Sequence, residues 1–256
     1  MTMAEALVSG FVQGLAEFLP VSSSGHLVLV HRIFGLSESS MFFDICLHLA
    51  TLMAVILYFH GDIYRLCTGK NVKGLLYIAV GTVPAVLAAL FFEKHITMFF
   101  ESPGKVELML IVTGLVLFLG QYGLQKIAPH GKGPTFRSSL LVGLAQAFAL
   151  LPGISRSGIT ISTGVLGGMS ATEAFRFSFL LSIPAIVGAT AYKALTFDAG
   201  IVNAGNASNY IVGMGTALVV GLLSLRFLEK IMQGRRLYVF GIYCLLVGTI
   251  GLLFWS

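Results

Sequence analysis

The chain has 256 residues, of which 56% are hydrophobic and 11% charged, with a net charge of +5 and a mean hydropathy of +0.90. That balance is too apolar for a soluble domain, so an integral membrane protein is expected and a nucleic-acid partner is not. Cys46, Cys67 and Cys244 are scattered and odd in number, which argues against a disulfide framework or a cysteine metal site.

From the N-terminus, an apolar segment runs into Glu17 and then into Leu19-Pro20-Val21-Ser22-Ser23-Ser24-Gly25-His26. It has no basic leader, so no cleavable signal peptide is expected. Spans of about 20 mostly apolar residues, enough to cross about 30 Å of hydrocarbon, follow at roughly 41–60, 74–93 and 105–124. A second polar phrase, Leu151-Pro152-Gly153-Ile154-Ser155-Arg156-Ser157-Gly158, precedes three more spans at roughly 174–195, 209–228 and 237–255. Both phrases are introduced by Gly-Leu-Ala, at Gly14-Leu15-Ala16 and Gly143-Leu144-Ala145. A helix-breaking polar segment repeated half a chain apart points to a paired intramembrane site.

Basic residues set the orientation. Arg65, Lys70 and Lys73 follow the first span; Lys126, Lys132 and Arg137 follow the third; Arg226, Lys230, Arg235 and Arg236 separate the last two. These loops are expected in the cytoplasm. The loops around Glu93 to Glu107 and Asp198 to Asn209 then face outward, as do both termini. The serine phrases, within about 5–36 and 138–170, have no net crossing to make and read as re-entrant helical hairpins broken at Pro20 and Pro152. The expected fold is an all-α membrane protein: one transmembrane domain over 1–256, with inverted-topology repeat halves of about 1–125 and 136–256. It has six transmembrane helices plus two re-entrant hairpins whose breaks meet near the bilayer centre.

Each phrase opens a helix, and a helix N-terminus offers unpaired N–H groups and positive dipole to an anion, phosphate being the natural guest. Arg156 costs roughly 2.5–3.5 kcal/mol inside a membrane segment, and its forked donors match phosphate oxygens. Ser155, Ser157 and Thr160 could add hydroxyl donors. Aligned on their glycines, the phrases place Ser23 opposite Arg156 and His26 opposite Ile159, with Glu17 loosely matched to Gln146. Gln13 and Glu17, four apart, share a helix face. Glu17 is expensive in apolar sequence unless it binds a cation, pairs with Arg156 or serves as acid or base. His26 is a candidate proton carrier. Asp44 with His48 reads as a simple helix-face pair and Glu173 with Arg176 as an interfacial pair, while Pro84 and Pro184 suggest bends.

Gln13-x-x-x-Glu17 with Phe18-Leu19-Pro20-Val21-Ser22-Ser23-Ser24-Gly25-His26, and Pro152-Gly153-Ile154-Ser155-Arg156-Ser157-Gly158-x-Thr160, resembles the undecaprenyl-diphosphate phosphatase family. Gly81-Thr82-Val83-Pro84-Ala85 and Ser178-Phe179-Leu180-Leu181-Ser182-Ile183-Pro184 extend the resemblance along the chain. It implies a bacterial inner-membrane enzyme, active toward the outer face. Such an enzyme converts undecaprenyl diphosphate to undecaprenyl phosphate and inorganic phosphate, recycling the carrier lipid for peptidoglycan synthesis and conferring bacitracin resistance. The substrate is an isoprenoid diphosphate lipid, and a homodimer is possible.

Carried over to matching positions, Arg156 with Ser22, Ser24, Ser155, Ser157 and Thr160 would bind phosphate. Glu17 with Gln13 would hold a divalent cation, Mg²⁺ or Ca²⁺, or Glu17 would act as base. Ser23 would be the nucleophile and His26 the acid or base, with phosphohistidine formation or direct attack by water as alternatives. Gln13 stands where many members have a second glutamate, and Arg176 where some have an acid. The rival reading is a secondary transporter or lipid flippase on the same inverted repeat. Such a carrier needs the clamp of Arg156 but not Ser23, Glu17 and His26 beside it.

Overall fold

The computed structural model describes residues 1–34, 40–100, 103–196 and 207–254. All of their regular structure is helical apart from one isolated bridge between Lys132 and Met169. The expected outward loop around Asp198 to Asn209 lies largely outside the described residues, as do the last residues of the first hairpin and of the final span.

Two short helices begin on threonine caps. Thr2 accepts the Glu5 amide while the Glu5 carboxylate accepts the Thr2 amide, opening α1 (Met3–Ala16). Thr135 and Ser138 exchange bonds in the same way to open α7 (Phe136–Phe148). Helices of this length reach about 20 Å, short of the about 30 Å of a hydrocarbon core. Each leads into a break and then a second short helix, α2 (Ser23–Phe34) or α8 (Arg156–Leu166).

Among the described residues, four helices are long and apolar enough to cross a membrane: α5 (Val72–Phe100), α6 (Pro103–Lys126), α9 (Ala171–Thr196) and α10 (Ala207–Gln233). The first expected span is α3 (Ser40–Tyr58), which meets α4 (His60–Cys67) at a 77° bend and counts as a fifth span if the pair is taken as one. The last expected span coincides with α11 (Tyr238–Phe254), which at 17 residues is short for a crossing. Pro84 and Pro184 both lie inside helices, and α5 leaves helical geometry at Phe92 (φ −116°, ψ 15°) rather than at its proline.

Small residues set the closest packing, as is usual between helices in lipid. α1 runs along α10, with Gly10 against Gly213 and Gly14 so close to Ala217 that a Cβ there would lie 2.6 Å from its carbonyl oxygen. α7 runs along α5, where a Cβ on Gly143 would meet the Gly81 carbonyl oxygen at 2.5 Å. α6 and α11 approach through Gly114 and Gly241. Phe18, Phe59, Phe175 and Phe179 form a buried aromatic cluster where the first break and the α3–α4 bend meet α9, with Phe175 and Phe179 edge to face at 5.0 Å.

The basic loops gather at one end. Arg65 and Lys73 share a cleft with Pro134 and Arg176, and Gln121 near the end of α6 bonds both the Arg235 carbonyl and the Tyr238 amide. Met1 lies at the opposite end, where its carbonyl accepts from Asn209 at the start of α10.

Candidate active site

The two breaks lie against each other. Ser157 Oγ donates to the Leu19 carbonyl at 3.4 Å, and Gly158 and Gly25 approach Pro20 and Gly153 so closely that a Cβ on either would be in contact. Each break ends in a serine cap. Ser22 Oγ accepts the Gly25 amide, Ser155 Oγ accepts the Gly158 amide, and each caps within 3.3 Å of a second hydroxyl, Ser24 or Ser157. The chain turns differently in the two copies. In the second, Gly153 takes a positive φ of 93°, packed on the Val106 carbonyl where a side chain could not fit; in the first, Ser22 itself stands at φ 70°. Thr113 fastens the second break by donating to the Gly153 carbonyl and accepting the Ser155 amide.

At this junction Glu17 is buried, and its carboxylate is surrounded by donors. Arg156 Nη2 donates to its Oε1 at 2.7 Å, while Ser23 Oγ at 2.7 Å and Gln13 Nε2 at 3.3 Å donate to Oε2. The guanidinium lies over the Phe179 ring, 5.8 Å from its centroid, so the aromatic cluster forms its floor. Arg156 Nη1 is buried and has no partner among the described residues. A buried donor of this kind, beside a capped helix start, suits an acceptor such as a phosphate oxygen.

Glu17, Ser23, Gln13 and Arg156 therefore converge, and other residues singled out from the sequence take different places. His26 turns to the last helix, donating from Nδ1 to the Ser22 carbonyl and meeting the Tyr243 hydroxyl at Nε2. The Thr160 hydroxyl is occupied by the Arg156 carbonyl and by Ser178, tying α8 to α9. Glu173 and Arg176 pair at 3.7 Å at the basic end.

A sequence profile of the family described as bacitracin resistance protein BacA matches residues 6–250. The chain belongs to this family. It is similar to the undecaprenyl-diphosphatase of Desulfosudis oleivorans, 39% identical over 98% of both chains. It is also 39% identical to that of Pelotomaculum thermopropionicum, over 97% of this chain and 95% of the relative. The corresponding protein of Desulforudis audaxviator is 40% identical, over 97% and 96%.

The structure adds His48 to the site of this BacA-family protein. Its Nδ1 lies 2.9 Å from Gln13 Nε2 and 3.5 Å from Glu17 Oε2, from a helix that the sequence gives no reason to bring there. The orientation of the Gln13 amide follows from its neighbours. Glu17 can only accept, and the Thr51 hydroxyl proton is directed to the Leu47 and His48 carbonyls, so both face the NH₂ end. Gln13 Oε1 is left buried without a partner among the described residues. No three His, Cys, Asp or Glu side chains gather in a metal-binding group among the described residues. Both Glu17 oxygens accept from Arg156, Ser23 and Gln13, so the carboxylate would have to shed donors to meet a cation.

Proposed function

We propose that this chain hydrolyses undecaprenyl diphosphate to undecaprenyl phosphate and inorganic phosphate, as the names of its relatives describe, returning the carrier lipid to peptidoglycan synthesis and supporting bacitracin resistance. One observation carries the site assignment: the guanidinium of the second polar phrase and the Glu17–Ser23 pair of the first meet across a contact of 2.7 Å.

In this reading the Glu17 carboxylate occupies Arg156 until the substrate arrives. The diphosphate then takes the guanidinium, including Nη1, along with hydroxyls of Ser22, Ser24, Ser155 and Ser157 and N–H groups of the two helix starts. The freed carboxylate takes the Ser23 proton as Oγ attacks the terminal phosphorus. The anhydride P–O bond breaks and undecaprenyl phosphate leaves; water then cleaves the phosphoserine, releasing inorganic phosphate and restoring the serine. The main catalytic term is stabilisation of phosphoryl charge. In the alternative to its role as base, Glu17 with Gln13 would hold Mg²⁺ or Ca²⁺, which would supply charge neutralisation at the phosphoryl oxygens, and His26 would be the acid–base group.

The packing of α1 on α10 and of α7 on α5 supports inverted halves of about 1–125 and 136–256, with both breaks re-entrant. The basic end is assigned to the cytoplasm of a bacterial inner membrane and Met1 to the outside, and the family resemblance implies a site toward the outer face. Phosphate release from undecaprenyl diphosphate by the purified protein in detergent tests the reading. Lipid flux without hydrolysis would instead establish the transporter, which the relatives do not favour.

A further inference from the structure

The last helix reaches the first break at two successive residues. Cys244 Sγ donates to the Pro20 carbonyl at 3.5 Å. Tyr243 lays its ring on His26, with centroids 5.7 Å apart and planes 14° from parallel, and brings its hydroxyl 2.7 Å from Nε2. The Ser22 carbonyl, 2.8 Å from Nδ1, can only accept, so Nδ1 carries the hydrogen. In the neutral ring Nε2 is then the lone pair, and the Tyr243 hydroxyl donates to it. The carbonyl that fixes this arrangement belongs to Ser22, held at φ 70°. Left-handed backbone at a non-glycine residue costs energy and concentrates at functional sites.

Packing does not explain the hydroxyl. Tyr243 is 42% exposed, and the position matching His26 in the second phrase is Ile159, which has no ring nitrogen to hold. The geometry points to Tyr243 as a positioning residue for His26: its hydroxyl keeps the imidazole in the Nδ1–H tautomer, with Nε2 as acceptor, and its ring sets the plane. This rests on the phosphatase reading with His26 as an acid–base group. A ring so prepared needs no tautomer change before Nε2 exchanges the phenol for a water O–H and takes its proton.

The test uses the full chain in detergent, with ¹⁵N-labelled histidine and undecaprenyl diphosphate as substrate. The nitrogen shifts of His26 should report the Nδ1–H tautomer in the unmutated protein and a mixture in Tyr243→Phe, which keeps the stack but loses the donor. Tyr243→Phe should lower kcat by roughly 10²-fold, the lower end of an acid–base contribution, and leave KM within about twofold. In a His26→Ala background the same change should have no further effect, whereas a structural role would add its loss there. An Nε2–H tautomer in the unmutated protein, unchanged turnover in Tyr243→Phe, additive losses or full turnover in His26→Ala would each overturn the proposal. Absence of phosphate release from the unmutated protein would refute the phosphatase reading instead, and the tautomer would still decide whether Tyr243 holds the ring.

Discussion

Arg156 Nη2 sits 2.7 Å from Glu17 Oε1, although 139 positions separate the two residues in the chain. The pair is nearly buried, with side-chain exposures of 15% and 7%, so each charge depends on the other or on a ligand of the same sign as its partner. Losing one member of a buried pair costs about 3–5 kcal/mol because the other is left uncompensated. A diphosphate avoids that cost at Arg156 by replacing one anion with another.

Arg156→Lys is therefore expected to remain folded and yet lose at least about 10²-fold in phosphate release, because the charge survives but the fork does not. Glu17→Gln should lose a similar factor while keeping the hydrogen bond from Ser23. Turnover assays on monodisperse protein check both. Near-wild-type rates in either variant would refute the site assignment.

The serines of the first phrase should separate sharply. Ser23 Oγ donates to Glu17, whereas Ser24 Oγ is paired with the Ser22 cap. Ser23→Ala should lower kcat by about 10²-fold or more, and Ser24→Ala by less than about tenfold. A phosphoenzyme trapped by acid quench in the unmutated protein and missing from Ser23→Ala would identify the nucleophile. Full turnover in Ser23→Ala would pass the attack to His26 or water, and a phosphoenzyme that persists in that variant would name His26.

How far the sequence could foresee this site depended on the distance over which each residue acts. Glu17, Ser23 and Arg156 were legible because charge in apolar sequence is costly and the two phrases repeat. The paired serine caps followed from helix-start chemistry. His48 was not legible: it lies 35 positions from Gln13, and its spacing from Asp44 suits an ordinary helix face. Tyr243 was hidden for the same reason, its partner being 217 positions away. Thr160 read as a phosphate donor from its place in the motif, but one turn of helix carries its hydroxyl back to the Arg156 carbonyl. Span lengths were approximate because the 77° bend after α3 falls within the apolar run, which hydropathy alone cannot resolve.

His48 gives a prediction that separates cation binding from chemistry. It accepts from the Gln13 amide, so in the proposed arrangement with a cation on Gln13 and Glu17 it would be an outer-shell partner, of the kind whose loss changes metal affinity by about 10–100-fold. His48→Ala should raise the Mg²⁺ or Ca²⁺ concentration needed for half-maximal phosphate release by about tenfold, with kcat recovered at saturating cation. Calorimetric titration of the cation into protein without substrate should show the same shift. An unchanged cation dependence would remove His48 from the binding arrangement.

The glycine contacts give a test of packing that does not involve the chemistry. Gly143 faces the Gly81 backbone, with the place of a Cβ 2.5 Å from a carbonyl oxygen that no rotamer change can move. Gly143→Ala must part α7 from α5, an overpacking cost of about 1–3 kcal/mol. α7 leads directly into the second break, so its displacement should also disturb Arg156. Gly188, on α9, has open space for 4 Å around the place of a Cβ and lies inside a helix, where alanine is the better helix former. Thermal unfolding in one detergent should show a lower Tm for Gly143→Ala and no loss for Gly188→Ala. Equal values for both would mean that the α5–α7 approach is looser than the backbone distances require.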